Sequence, residues 1–299
     1  MTGGAPAPSQ RVAVTLVTAT PGGGFPVYGD AAAAVINGSD QGLAVVTRNT
    51  KGSLENIPLL ERGEADIGLV AGIPAYEALA GIGRAPTKLK VIAAMYSDFG
   101  LFAVGPQSAA RTARDFAGQP VAWGTRASGL TALSQFAMSA IGLDRDRDFR
   151  SVFVENAGDA PGLLARGEVA AIWGGGIGWP NFRAVSEAGG RLIGFTAEEV
   201  ANVVGKHPFL TPVHIPAGSF PGQSEPLASF GSWSMILARA DLPDDIAYRL
   251  SRALHIGHAA FVARLPQARE TTPENTILAA QDRSRIHPGA DRYLREIGR

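Results

Sequence analysis

Short strand-like runs alternate with helical patterns along almost the whole chain, and this order restricts the possible folds more than any other feature. The runs are RVAVTLVT, GLAVVTR, ADIGLVA, LKVIAAMY, PVAWG, SVFVEN, VAAIWGG and RLIGF. Segments with helical spacing of apolar residues, such as SLENIPLLERGE and GLTALSQFAMSAIGL, lie between them. Such alternation predicts an α/β fold with mostly parallel sheets.

The same order of elements occurs twice, in residues 11–103 and 119–195, and the apolar run SWSMILARADLP follows both halves. A strand placed that late can return the chain to the first half. Because ligands of open α/β sheets lie beyond the carboxyl ends of the strands, we expect two lobes with a ligand cleft between them. The predicted division places residues 11–103 plus 234–299 in the first lobe and residues 104–233 in the second.

Composition excludes several classes of function. The chain has 299 residues, enough for two domains, and its 27 Lys and Arg balance 27 Asp and Glu, so no net field attracts nucleic acid or anionic membranes. The absence of cysteine excludes disulfides, thiolate metal sites and cysteine nucleophiles. The first residues, MTGGAPAPSQ, lack the basic and apolar regions of a signal peptide. This leaves a cytoplasmic protein or a mature domain whose signal peptide has been removed.

Motifs for nucleotide binding and for catalysis are missing from the sequence. There is no G-x-G-x-x-G, no G-x-x-x-x-G-K-[ST] and no G-x-S-x-G. His255 and His258 have H-x-x-H spacing without a nearby third ligand, and arginines interrupt the calcium-like spacing of Asp144, Asp146 and Asp148. We therefore predict a solvated loop at the aspartates, and neither a metal site nor a catalytic residue.

A glycine triplet, Gly22–Gly24, stands in the loop TATPGGGFPVY that follows the first strand-like run. One glycine would suffice for a turn, and glycine loses more backbone freedom on folding than any other residue. We interpret the triplet as a place where backbone N–H groups approach a carboxylate, with Phe25 or Tyr28 covering the ligand. The alternative is a tight strand-to-helix turn with Tyr28 packed in the core.

Five longer segments resemble one protein family. TPGGGFPVYG, TKGSLENIPLLERGEADIGLV, KHPFLTPVHIPAGSFPGQSE, RADLPDDIAYRLSRAL and IHPGADRYLREIG are similar to the TAXI family of solute-binding proteins, from about Val12 to Gly298. The resemblance implies a two-lobed type II periplasmic binding protein fold that closes on a small organic anion, with a TRAP membrane permease as partner. It also implies an exported periplasmic protein whose signal peptide is absent from this sequence. We expect a monomer with no enzymatic activity, no cofactor and no nucleic-acid partner.

Carried over by motif and by position at strand ends, the ligand-binding candidates are Thr20, Gly23, Gly24, Phe25, Tyr28, Thr50, Lys51, Ser53, Asn56, Trp123, Arg126, Ser128, Gly129, Asn156, Trp173 and Gly175. The chain departs from the family pattern at three places. Lys51 replaces a glycine, Ala127-Ser128-Gly129-Leu130 replaces Gly-Ser-Gly-Thr, and Ala71-Gly72-Ile73 replaces Gln-Ser-Asp. These changes remove polar contacts that an ammonium group would need, and they argue against glutamate as the ligand.

Arg126, in WGTRASGLT, is the predicted cationic partner of the ligand's carboxylate, because a guanidinium can pair with both carboxylate oxygens. Arg48 and Lys51 are the reserve candidates, and recognition by neutral donors alone is the remaining alternative. Trp123, Trp173 and Trp179 precede or follow glycine-rich loops. If one of them faces the cleft, the ligand has a flat or apolar part; otherwise they are core residues.

Three functions compete at this point. The resemblance favours a transport receptor. An enzyme on the same scaffold would need an acid–base pair that the sequence does not offer, and a ligand-sensing module would signal to a membrane partner without transport.

Overall fold

The computed structural model describes residues 11–40, 42–207 and 209–299. The strands are β1 Val12–Val17, β2 Leu43–Arg48, β3 Ile67–Val70, β4 Lys90–Phe99, β5 Leu101–Val104, β6 Pro120–Ala122, β7 Arg150–Val152, β8 Ala171–Gly174, β9 Arg191–Ile193, β10 Thr211–Ile215 and β11 Leu227–Ala238. The helices are α1 Gly24–Ser39, α2 Ser53–Glu61, α3 Gly72–Ala80, α4 Gly129–Ala140, α5 Ala160–Ala165, α6 Pro180–Glu187, α7 Ala197–Lys206, α8 Asp244–Ile256, α9 His258–Arg264, α10 Pro273–Ala280 and α11 Pro288–Glu296.

The strands form two sheets, which confirms the α/β, two-lobed fold. The first has the order β10-β11-β3-β1-β2, with β4 also paired to β11, and the second has the order β7-β6-β8-β5-β9. β1 is parallel to β2 and β3, and β6 is parallel to β7 and β8. The strand runs named from the sequence coincide with β1 to β4 and β6 to β9, because their apolar periodicity is a local property.

The expectation of mostly parallel sheets is wrong. β11 is antiparallel to β3, β4 and β10, and β5 is antiparallel to β8 and β9. β5 takes the chain from the first sheet to the second directly after β4, and β11 follows its antiparallel partner β10 within the first sheet. Neither strand therefore enters its sheet through a β-α-β unit. β5 follows β4 after Gly100 alone, and the run SWSMILA lies in β11, which joins the first sheet as expected. The lobe boundaries at residues 103/104 and 233/234 remain a prediction.

Each sheet has its own apolar core. Leu16, Ile36 and Leu69 are buried on one side of the first sheet with the aromatic ring of Tyr28. In the second sheet the core is aromatic, with Phe102 lying 5.7 and 5.0 Å from the rings of Trp123 and Trp173. Large aromatic residues contribute much of the buried apolar area, so they hold the strand ends of the second sheet in fixed positions. Among the helices of the described residues, none has the length and apolar character needed to cross a membrane.

Candidate functional site

A pocket of about 70 Å³ lies where the carboxyl ends of strands from both sheets meet. Loops after β1 and β2 line it from the first sheet, and loops after β6 and β8 line it from the second. A water needs roughly 10–15 Å³ measured in this way, so the pocket holds on the order of five water-sized groups. This is room for a small organic molecule.

Three helices begin at this pocket, and each begins with a residue that lines it: Gly24 of α1, Ser53 of α2 and Gly129 of α4. Amides in the first turn of a helix have no acceptor within their own helix. The residues before α1 and α2 are glycines whose position offers no side-chain cap, whereas Ser128 caps α4 by accepting from the amide of Leu130. The pocket therefore presents N–H donors and the positive ends of three helix dipoles, which favour an anion.

The glycine triplet serves three different contacts. Gly22 has φ +80°, and a Cβ there would overlap the backbone of Gly158, which follows β7 of the second sheet. Gly23 precedes α1 in extended conformation, and a Cβ on Gly24 would lie 3.5 Å from the Tyr96 hydroxyl. The first glycine thus permits contact between the two halves of the site, and the other two leave the helix start open.

Hydrogen bonds join the loops of the two sheets across the pocket. The amide of Gly158 donates to the carbonyl of Pro21 at 3.3 Å, and the amide of Leu54 donates to the carbonyl of Ala127 at 3.2 Å. The Ala157 amide donates to Thr20 Oγ1 at 3.2 Å. Through these three hydrogen bonds, the loops of the two sheets contact each other directly at the pocket.

An acidic residue lies in the same pocket. Asp98, near the end of β4, lines the pocket and is 5% exposed. Ser234 Oγ lies 3.5 Å from its Oδ2, at the limit of a hydrogen bond. Burial raises the pKa of the Asp98 carboxyl to about 7, and burial also raises the pKa of the Tyr96 hydroxyl, which lies on the same strand face two residues earlier.

Eleven of the sixteen residues predicted from the sequence line the pocket. They are Thr20, Gly23, Gly24, Phe25, Lys51, Ser53, Trp123, Ser128, Gly129, Trp173 and Gly175. Trp179 also lines it. The tryptophan side chains are almost wholly buried, and Trp173 Nε1 donates to the carbonyl of Leu130 at 2.7 Å. The three indoles therefore belong to the core and border the pocket at the same time.

Five predicted residues lie outside the pocket lining. Tyr28 is fully buried, and its hydroxyl is 2.8 Å from Thr271 Oγ1, which agrees with the core alternative. Asn56 donates to the carbonyls of Thr18 and Leu69, and Thr50 Oγ1 donates to Asn56 Oδ1. These two side chains fasten the loops after β1 and β2 to strand β3.

The other two are exposed. Arg126 stacks its guanidinium 3.9 Å above the ring of Phe153, and Asn156 forms a capping box with Asp159 at the turn before α5. Arg48, one of the reserve cations, is exposed as well, whereas Lys51 lines the pocket. Among the candidate cations from the sequence, the structure thus brings Lys51 alone to the pocket.

Sequence reasoning missed Tyr96, Asp98 and Thr125, which also line the pocket. A signal was present for Asp98, because a carboxylate in the apolar stretch MYSDFGLF is costly to bury without a function. Two spacings are interpreted from the sequence as unsuitable for metal binding, the histidine pair and the aspartate run after α4. In the described ranges, no group of three or more possible metal ligands comes together. His255 Nδ1 lies 2.7 Å from the Tyr293 hydroxyl, and His258 Nε2 lies 3.1 Å from the Ala268 carbonyl.

Solved structures with a similar fold cover nearly the whole chain. MatC from Rhodopseudomonas palustris with bound malate has a TM-score of 0.61 at 14% identity, covering 95% of this chain and 98% of that one. PhnD1 from Prochlorococcus marinus in complex with methylphosphonate has a TM-score of 0.60 at 11% identity, covering 88% and 91%. The periplasmic aliphatic sulphonate binding protein SsuA from Escherichia coli has a TM-score of 0.52 at 16% identity, covering 95% and 78%. At these identities the likeness concerns the fold.

The family comparison is more specific. The model of the NMT1-like family matches residues 16–298. This range includes every residue that lines the pocket and all the strands of both sheets except the first residues of β1. The chain belongs to the NMT1-like family.

Proposed function

We propose that this protein is a solute-binding receptor that closes on a small organic anion and delivers it to a membrane transporter. The observation that carries the proposal is the pocket between the two sheets, on which three helix starts converge. Because small-molecule sites preferentially lie at such crevices, the pocket is the natural place for a ligand.

The donor groups support an anion. The first-turn amides at Gly24, Ser53 and Gly129 face a pocket with little competing side-chain capping on α1 and α2. A carboxylate accepting several backbone N–H groups forms charge-assisted hydrogen bonds, which are stronger than neutral ones. Malate and methylphosphonate, the ligands bound to MatC and PhnD1, are anions as well. The 70 Å³ volume favours a ligand smaller than glutamate.

This proposal revises the choice of cation. With Arg126 stacked on Phe153, we propose that the carboxylate is held by backbone N–H groups and by Lys51, one of the two reserve cations. Within each lobe the helix-start amides are held in place by the fold, so closure of the lobes is the one movement needed to bring both sets of donors to the ligand.

For the partner and the compartment, we propose a TRAP permease and the periplasm. The support is the resemblance of segments such as IPAGSFPGQ and HPGADRYLRE to TAXI receptors, together with the periplasmic SsuA among the similar folds. TRAP permease genes adjacent to the gene for this chain are the expected finding. Adjacent genes for a signalling kinase would instead support the sensing alternative.

We also propose that the lobes, residues 11–103 plus 234–299 and residues 104–233, close by bending at the strands that pass between the sheets. Such hinges change few backbone dihedrals. Small-angle scattering tests closure, and compaction at saturating ligand is expected. An unchanged radius of gyration would contradict a hinge-closing receptor.

Calorimetry with carboxylates of two to five carbons, each compared with its carboxamide, tests the proposed function. We expect at least one carboxylate to bind and its amide to bind at least tenfold more weakly. Gly22→Ala should weaken that binding at least tenfold, because the new Cβ overlaps Gly158. Gly218→Ala is the matched control, since Gly218 has φ +78° with nothing within 4 Å of the added Cβ. Equal binding of acids and amides would overturn the proposal.

A further inference from the structure

Asp98 differs from the other features of the pocket because it is an acceptor among donors. Its carboxylate is 95% buried, lines the pocket and has a single hydroxyl, Ser234 Oγ at 3.5 Å, as hydrogen-bond partner. Among residues 11–40, 42–207 and 209–299, no Lys, Arg or His lies within ion-pair distance of it. The cost of burying an ionised carboxylate without a partner is several kcal/mol.

The fold does not require this carboxylate. Ser232 and Gly231 of β11 pair with β4 through backbone bonds at this level of the sheet, so a neutral side chain at position 98 would keep the same pairing. A buried carboxylate whose hydrogen-bond partner is a hydroxyl at 3.5 Å, and that lines a cavity, is the kind of group that a ligand completes.

We propose that Asp98 is the subsite for an ammonium group, so that the receptor takes a short amino acid rather than a simple carboxylic or dicarboxylic acid. The inference rests on the proposed function, which supplies the carboxylate end at the helix starts. A zwitterion satisfies both sets of groups: its carboxylate accepts from the first-turn amides, and its ammonium donates to Asp98. The pocket volume restricts the amino acid to about the size of glycine, alanine or β-alanine.

The sequence offers few polar contacts for an ammonium group in Ala127-Ser128-Gly129-Leu130 and in Ala71-Gly72-Ile73. In this proposal the Asp98 carboxylate supplies that contact instead. The proposed ammonium partner comes from strand β4 rather than from the loops after β3 and β6. Burial raises the pKa of Asp98 to about 7, so the carboxyl is readily ionised when a cation arrives beside it.

Calorimetry at pH 8 with three pairs of nearly isosteric probes tests the inference: glycine and glycolate, L-alanine and L-lactate, β-alanine and 3-hydroxypropionate. In the pair that binds best, the amino acid should bind the unchanged protein at least tenfold more tightly than the hydroxy acid. Asp98→Asn should reduce this preference to threefold or less, because a charge-assisted hydrogen bond is lost on the amine side alone.

Glu270→Gln is the matched control. Glu270 accepts from the amide of Ser97 and carries a charge close to Tyr96, as Asp98 does, but it does not line the pocket. This variant should keep the amino-acid preference of the unchanged protein. Circular dichroism melting verifies that both variants fold.

Three outcomes would overturn the inference. If a hydroxy acid binds as tightly as its amino acid, Asp98 is not an ammonium site, and the proposed anion receptor stands. If malonate binds most tightly and Asp98→Asn preserves its affinity, Asp98 acts as a neutral donor to a second carboxylate. If no acid of either kind binds the unchanged protein, the proposed function fails and the inference fails with it.

Discussion

Arg145 and Asp98 are both buried charged residues, and their surroundings are opposite. Arg145, 9% exposed beside the second sheet, donates to both carboxylate oxygens of Asp146 at 3.0 and 2.9 Å and to the carbonyl of Thr131 at 2.9 Å. Asp98, 5% exposed in the pocket, has a hydroxyl at 3.5 Å. A buried charge is tolerated when it is paired and hydrogen-bonded. The fold supplies the hydrogen-bond partners of Arg145, and we propose that a ligand supplies the missing partner of Asp98.

The largest effect is expected from neutralising Asp98. Its pKa rises on folding from 3.8 to about 7, so the folded state holds a proton that the unfolded state releases, and stability falls as the pH rises between these values. Each pKa unit corresponds to about 1.4 kcal/mol, so the loss reaches on the order of 4 kcal/mol above pH 7. Asp98→Asn should therefore stabilise the ligand-free protein at pH 8 and give no such gain at pH 4.

Urea unfolding of both proteins at pH 4, 6 and 8 measures this difference in the free energy of unfolding. A constant difference across the three pH values would show that Asp98 is not a destabilised carboxylate.

Neutralising Asp146 should lower the free energy of unfolding, whereas neutralising Asp98 should raise it. The hydrogen bond with Arg145 lowers the pKa of Asp146, so its contribution is present above the unfolded pKa of 3.8 and is lost as the pH falls through the folded value. Asp146→Asn leaves Arg145 donors poorly satisfied. Because solvent screens the half-exposed Asp146, we expect a loss of about 1 kcal/mol at pH 7. Arg147→Gln, which breaks the exposed Arg147–Asp148 pair, is the control and should leave the free energy of unfolding almost unchanged, because solvent screens an exposed ion pair.

The same urea titrations, repeated near pH 3, should show the Asp146→Asn deficit shrinking. A deficit that grows toward acid pH would contradict the pairing of Asp146 with Arg145.

Arg126 lies near the buried Arg145 and outside the pocket lining. Its guanidinium is 3.9 Å above Phe153, whose ring also lies 5.4 Å from the Arg145 guanidinium. Arg126→Ala should cost about 0.5–1 kcal/mol of stability through the lost cation–π contact. Calorimetry with the best-binding probe should show an affinity within twofold of the unchanged protein. A tenfold loss of affinity would restore Arg126 as the carboxylate partner.

The smallest effect is expected at Ser234, because a 3.5 Å contact is a weak hydrogen bond. Since this bond lowers the pKa of Asp98, Ser234→Ala should reduce stability at pH 8 by less than about 0.5 kcal/mol. In the Asp98→Asn background the same change should have no such pH-dependent effect, which a double-mutant cycle measures. A loss above about 2 kcal/mol would mean that Ser234 supports the core by itself.

The sequence predicted the parts of the molecule that depend on local pattern. Apolar periodicity marked the strands, and glycine or serine after a strand marked the helix starts at Gly24, Ser53 and Gly129. Strand direction could not be read in this way, because the antiparallel entry of β11 depends on where the chain returns. Asp98 was missed for a similar reason. Whether its side chain faces solvent, core or pocket depends on the strands that pack beside β4.

Arg126 shows the limit for side chains on loops. Its position after a strand and before a helix suited a ligand contact, but the chain turns at Gly124 with φ +95°, and the guanidinium settles on an aromatic ring 27 residues later in the sequence. Such a contact between distant residues has no local signature.

The hydrogen bonds across the pocket have a consequence for how this protein can change over evolutionary time. The Gly158–Pro21 and Leu54–Ala127 contacts join backbone to backbone, so they do not use the side chain of Asp98. We therefore expect ligand specificity to depend on side chains of the pocket and closure to depend on backbone contacts. On the proposed function, we expect substitution of Asp98 to change the bound ligand and to leave these backbone hydrogen bonds in place.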